Sequence, residues 1–384
     1  MKIYKFFKEN SVEISILIFF LIYFSLWVNF NFETVKINNN NLNDAINLHK
    51  FNPYFSYFLF KFSNFLNLQL ILGYIIFPSL VATILYKIFF KLTGSNYWSI
   101  SLILLSIIST ENFPFISFFK NLHNPNELQN YYNLYENFEI QGFPIPSFSI
   151  FYFCFLFYYY FRTIRFNEKS LYIFSFFWFM GPFVHPFDGL IGLVFWNTNL
   201  FLNSKLKNIT FKKKFMLYLI ISNIVVGLLL INQVNFDDQI LFSNQYYPFY
   251  NIFVYFILPI ILVINCIFFF KVDFYEFYQK FLPIYILLLI EVVMVLCSIF
   301  GFGFDIKMTE TRITMFLLHF LYYMPIIYYL NKDNYFLISY NDKKNSFNNY
   351  IKKVIYFIFC KFNKVYLSIF SFLIIFYLIN SLKI

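Results

Sequence analysis

Within Gly181-Pro182-Phe183-Val184-His185-Pro186-Phe187-Asp188-Gly189 an imidazole stands three residues before a carboxylate. Such a pair can orient a proton donor or bind a ligand hydroxyl. Its plainer reading is a tight connecting turn in which both side chains cap helix ends. Glu33 and Asp44 lie eleven residues apart, with His49 just beyond. A carboxylate there can act as general base on a hydroxyl or hold a divalent metal; taken singly, each also reads as a solvated loop acid. Met308-Thr309-Glu310-Thr311-Arg312 places a guanidinium beside an acid. The guanidinium fork matches two phosphate oxygens, and at a helix start it can hold a phosphate group. An interfacial Glu310–Arg312 ion pair is the competing reading. Glu291 is a single acid inside an apolar run, with His319 its one evident partner, and Asp237-Asp238 reads as a solvated cluster. The sequence contains no Walker loop, GxSxG, HExxH or Gly-rich nucleotide loop, which disfavours ATP-driven transport within this chain.

The elements that must position these residues are membrane helices. The 384 residues are 60% hydrophobic and 12% charged, against about 45–50% and ~25% in soluble domains. A bilayer-spanning helix needs about 20 mostly apolar residues. Runs of that kind occupy 11–31, 68–90, 97–119, 146–162, 215–232, 249–270, 281–301, 314–330 and 365–381. The stretch 170–204 is interrupted by the Gly181–Gly189 segment, where two prolines four apart predict that the helix stops and two short helices meet. The expected fold class is all-α: a polytopic transmembrane helical bundle of about ten or eleven membrane helices. The 63 Phe and 33 Tyr accompany abundant Ile, Asn and Lys. These are residues of A/T-rich codons, so aromatic stripes receive no functional weight.

Lys and Arg in the loops set the orientation. With the N-terminus in the cytoplasm, 22 of the 29 cations fall inside and seven outside (Lys36, Lys50, Lys61, Lys120, Lys307, Arg312 and Lys383). The net charge of +10 is therefore an orientation signal rather than a nucleic-acid patch. The outer segments are 32–67, 110–145, 233–248 and 302–313. Residues 1–330 form the transmembrane core, and 331–384 supply a lysine-rich cytoplasmic segment and a last membrane helix. Residues 53–67 read as an amphipathic helix lying in the interface. Ser56, Ser63, Asn64 and Asn67 share its polar face, and Phe55, Phe58, Leu59, Phe62 and Leu66 fill the other. Cys154, Cys266, Cys297 and Cys360 have no disulfide or zinc spacing, and the first apolar run reads as a retained helix rather than a cleaved signal.

This organisation resembles the GT-C superfamily of membrane glycosyltransferases, which transfer sugars from polyprenyl-phosphate donors on the outer leaflet. The resemblance covers most of the chain and lies in its layout. Glu33 and Asp44 in the first outer loop, the helix 53–67 and the late outer Arg312 occupy comparable places. The Gly181–Gly189 break followed by Leu190-Ile191-Gly192-Leu193 looks like a hairpin of GT-C-like bacterial proteins. The chain departs from the family in lacking an adjacent Asp-Glu or Asp-Asp pair in the first outer loop and a large C-terminal outer domain.

The resemblance implies a transferase in a bacterial plasma membrane, working on its extracytoplasmic side. It would pass a sugar from a polyprenyl-phosphate donor to a cell-envelope glycan or lipid. Asp44 is then the first candidate base and Glu33 the second. Arg312 with Glu310 holds the donor phosphate, and His185, Asp188 and His49 border the acceptor. A divalent metal on the first-loop acids is left open, with no ligand set assigned. The expected partners are membrane lipid, the lipid-linked sugar and its acceptor, and no nucleic acid. Two alternatives remain: a polysaccharide polymerase of the O-antigen type, whose family relies on outer-loop arginines, and a transporter or flippase, for which Glu291 speaks.

Overall fold

The computed structural model describes residues 10–30, 32, 58–59, 61–63, 68–93, 96–107, 147–162, 167–203 and 206–233, with 286, 290 and 293. Among these residues the structure is helical and contains no strand. The elements are α1 (Ser11–Phe30), α2 (Gln69–Thr93), α3 (Asn96–Ile107), α4 (Ser147–Arg162), α5 (Glu168–Val184), α6 (Pro186–Leu202), the single turn α7 (Lys207–Thr210) and α8 (Lys213–Gln233). Among the described residues three helices are long and apolar enough to cross a membrane: Ser11–Phe30, Gln69–Lys91 and Lys213–Leu230. Ser147–Tyr160 is a shorter apolar helix.

The chain forms two compact units. The described part of one is the end of α2 with α3, where the Tyr86 hydroxyl donates to Asn96 Oδ1 at 2.8 Å. The other contains α1, the start of α2, and α4 to α8. In that unit α1 packs on the first turns of α2. Those turns are a π-helix, Leu72–Ile76, in which the Phe77 N–H donates to the Leu72 carbonyl. The cause is the next residue. Pro78 has no N–H for the Tyr74 carbonyl, and its ring crowds that position, so the helix widens by one residue just before it.

Two helices meet within the Gly181–Gly189 segment, as the prolines predict, but the two prolines around His185 behave differently from each other. Helix α5 runs straight through Pro182 to Val184. Gly181 precedes that proline, and without a Cβ it escapes the clash that usually drives a pre-proline residue out of the α region. His185 precedes Pro186 and has a Cβ; it takes φ −148° and ψ 122°, the extended conformation a pre-proline residue prefers. Pro186 then opens α6 at the position where its fixed φ and missing N–H are favoured. Two helices of 17 residues each therefore meet at one extended residue.

A connection this short forces the backbones together. A Cβ on Gly189 would overlap Pro182 N, Pro182 Cα and Gly181 C. One on Gly192 would lie 2.9 Å from Trp178 Cζ3 and 3.1 Å from Phe153 Cε1. The facing pairs (Gly181 with Gly189, Trp178 with Gly192, Ser175 with Trp196) show α5 and α6 to be antiparallel. Helix α4 lies against both, parallel to α6 and antiparallel to α5. Its Phe157 ring centroid is 5.3 Å from Trp178 and 4.9 Å from Phe195. Trp178 stacks on Trp196 at 5.8 Å and 10°, and both indoles are fully buried. Where lipid replaces water, such close packing holds helices together, because there is no hydrophobic drive between them.

Polar clasps fix the fourth helix. Asn197 Nδ2 donates to Asn223 Oδ1 at 2.9 Å, and Asn223 Nδ2 returns to Asn197 Oδ1 at 3.2 Å. The remaining amide hydrogens go to Leu193 and Leu219 carbonyls at 3.0 and 2.8 Å, so the ring of amides is fully satisfied and joins α6 to α8. The outward face of α8 exposes Leu217, Ile220, Ile221, Ile224 and Leu228, each more than half exposed.

The glycines therefore carry unequal burdens. Gly189→Ala is expected to cost about 3 kcal/mol, since backbone rather than a side chain must move, and Gly192→Ala less. Gly227, with nothing within 4 Å, should gain up to ~1 kcal/mol as Ala from helix propensity. Thermal unfolding of the three variants in one detergent checks the order; equal stability of Gly189→Ala and the parent would contradict the close crossing.

Candidate functional site at the α5–α6 break

His185 is at once the last cap of α5 and the first cap of α6. Its backbone N–H donates to the Gly181 carbonyl at 3.0 Å, which closes α5. Its Nδ1 receives the Asp188 N–H at 3.2 Å, which caps α6. Asp188 stands at the third position of α6, where an acid usually reaches back to the cap residue's N–H. That N–H is already taken by Gly181. The carboxylate turns to the imidazole instead, with Oδ2 3.0 Å from Nδ1.

One nitrogen therefore faces both a backbone donor and a carboxylate oxygen. Nδ1 has one lone pair in the ring plane: without a proton it accepts the Asp188 N–H, and with one it gives up that cap and donates to Oδ2. The side chains differ in exposure, at 21% for His185 and 3% for Asp188. The second carboxylate oxygen, Asp188 Oδ1, is buried and has no hydrogen-bond partner. The start of a 17-residue helix favours a carboxylate through its dipole, which offsets part of the cost of burial. It supplies no partner for Oδ1, and a buried oxygen without one typically costs about 1–3 kcal/mol. Such groups call for a specific explanation, a bound molecule being one.

Helix α4 borders the same end. Tyr160 of α4 is 39 residues before its partner Asn199 of α6. The same offset carried up the parallel pair sets Ser149 level with Asp188, and Ser149 is fully buried. Ser147, two residues earlier, is also buried, and its Oγ has no partner.

Of the residues singled out in the sequence, His185 and Asp188 are brought together as expected. Glu33, Asp44, His49, Glu310 and Arg312 lie outside the described residues, as do Glu291 and the greater part of the helix 53–67. Among the described residues of 53–67, Ser63 is buried, while Phe58 and Phe62 are 61% and 55% exposed. The sequence reading passed over Ser147 and Ser149. It also missed a second polar cluster at the far end of α6. There the Tyr160 hydroxyl donates to Asn199 Oδ1 at 3.0 Å and accepts from Asn203 Nδ2 at 3.2 Å. Asn199 and Asn203 are four apart, the spacing of one helix face, a signal lost among the many asparagines. No group of His, Cys, Asp and Glu suited to a metal occurs among the described residues.

No protein-family profile matches the chain, and no curated protein or solved structure does so either.

The geometry makes a prediction about stability. An Asn at 188 keeps the shape and gives His185 Nδ1 a neutral donor while removing the charge. Asp188→Asn should therefore unfold within ~1 kcal/mol of the parent or above it, because the buried orphan is no longer a carboxylate oxygen. His185→Ala should cost about 1 kcal/mol through the lost cap. Chemical denaturation followed by circular dichroism checks both; a loss well beyond 1 kcal/mol in Asp188→Asn would make the carboxylate a structural group.

Proposed function

We propose that the chain is a polytopic integral membrane enzyme of the GT-C type. It transfers a sugar from a polyprenyl-phosphate donor to a cell-envelope glycan or lipid at the extracytoplasmic face. The observation that carries the reading is the buried Asp188, with one oxygen on a half-buried imidazole and the other without a partner. Natural proteins keep strained or unsatisfied polar groups chiefly where function uses them. A carboxylate–imidazole pair with one open oxygen suits an acceptor hydroxyl: Oδ1 accepts a hydrogen bond from the hydroxyl, while Oδ2 against His185 Nδ1 holds the carboxylate in place. The remaining support is organisational: an outer loop carrying Glu33, Asp44 and His49, and an arginine suited to a lipid phosphate, Arg312 with Glu310, at a later outer segment. Asp44, or Glu33 in its place, is the base that acts directly on the acceptor, and His185 with Asp188 orients that acceptor.

Charge placement in the helices described agrees with the topology this reading needs. Lys169, Lys207, Lys212, Lys213 and Lys214 sit at the ends of α5, α6 and α8 away from His185. That is the distribution expected when His185 faces outward.

Two experiments bear on the proposal. The full chain, reconstituted with a radiolabelled polyprenyl-phosphate sugar and membrane acceptor lipids, is expected to transfer label. Asp44→Asn should abolish turnover and spare donor binding, while Arg312→Lys should weaken donor binding. Asp188→Asn should lower turnover by about 10²-fold or more. Undiminished transfer in both Asp44→Asn and Glu33→Gln removes the catalytic assignment. For topology, a cysteine placed at Asn133 should be labelled from outside the cell and one at Asn345 should not; the reverse pattern overturns the orientation and the sites assigned from it.

A further inference from the structure

We propose that the connection between α6 and α8, together with the first turn of α5, is a docking surface for anionic phospholipid headgroups. Five exposed lysines gather there: Lys169 on α5, Lys207 on α7, and the run Lys212, Lys213 and Lys214 entering α8. The one acid among them, Glu168, is engaged by Lys212 at 2.6 Å. A run of three ammonium groups repels itself, and an anionic partner relieves that repulsion.

The backbone beneath is fixed. Leu206 and Thr210 are buried, and the Thr210 hydroxyl lies 3.1 Å from the Leu200 carbonyl and 3.0 Å from the Leu206 carbonyl. The lysines thus project from a held turn. Among them stands Phe211, 61% exposed, its ring edge-on to Phe201 at 6.1 Å. Leu202 and Leu217, 41% and 56% exposed, continue the apolar surface down the helices.

This combination selects the occupant. An exposed aromatic ring directly before a run of three exposed lysines, with exposed leucines on the adjoining helices, matches the layer where acyl chains meet headgroups. A soluble acidic polypeptide would satisfy the lysines and leave Phe211 and Leu217 uncovered. An anionic phospholipid satisfies both, with its phosphate among the lysines and its acyl chains along α8. The surface lies at the opposite end of the helices from His185 and does not depend on the transferase reading.

The test uses the full chain reconstituted in phosphatidylcholine membranes carrying a spin-labelled lipid, either phosphatidylglycerol or phosphatidylcholine. Electron paramagnetic resonance reads the fraction of each held at the protein boundary. The parent should prefer phosphatidylglycerol several-fold. A lysine near a charged surface is worth about fivefold in affinity, so the triple variant Lys207→Gln, Lys213→Gln, Lys214→Gln should lose most of that preference. The matching triple arginine variant should retain it, which separates charge from any change in fold. Equal boundary fractions of the two lipids in the parent, or an unchanged preference in the glutamine variant, would overturn the proposal.

Discussion

The contact between the backbone of α6 at Gly189 and that of α5 at Gly181 and Pro182 is the constraint on which the described structure depends. It exists because a single extended residue, His185, joins two 17-residue helices, leaving no length of chain with which to separate them. Glycine at 189 is what the crossing permits. From that point outward the helices diverge enough to admit side chains, first Trp178 against Gly192, then the stacked Trp178 and Trp196. Helix α4 fills the groove so formed with Phe153, Phe157 and Tyr160, all buried.

The same constraint creates the candidate site. His185 must cap both helices, so its backbone N–H is spent on α5 and its ring on α6. Asp188 cannot make the return bond of a capping box and closes on the imidazole instead. What results is a carboxylate held at a helix start with one oxygen engaged and one buried without a partner. Other polar groups of these helices show how a satisfied arrangement looks. The Asn197–Asn223 ring uses every amide hydrogen, and the Trp196 indole donates to Ser175 Oγ at 3.0 Å. Asp188 Oδ1 shares its lack of a partner with Ser147 Oγ, Trp178 Nε1 and Asn199 Nδ2 in the same helices, but it alone among them belongs to a carboxylate, and the proposed acceptor hydroxyl is its explanation.

Apolar runs located the helices α1 to α6 and α8 among the described residues, because a long apolar helix leaves a clear pattern, while the polar turn α7 (Lys207–Thr210) fell between runs. The place of the break was legible only in part. The two prolines placed the break within Gly181–Gly189 but not its residue, and the outcome turned on the residue before each proline, Gly181 or His185, whose Cβ decides whether the α region stays open. The His185–Asp188 pair was visible from its spacing. Its unsatisfied oxygen was not, since that depends on the Gly181 carbonyl capturing the His185 N–H. Ser149 and Asn199 were obscured for different reasons: Asn199 is one of many asparagines, and Ser149 stands out only through its register on α4 against α6.

The most direct measurement is a structure of the full chain with a polyprenyl-phosphate sugar and an acceptor analogue bound, resolved well enough to place hydroxyl oxygens. The account predicts an acceptor hydroxyl within about 3 Å of Asp188 Oδ1. Asp188 Oδ1 bonded to a protein donor, with the acceptor seated elsewhere, would contradict it.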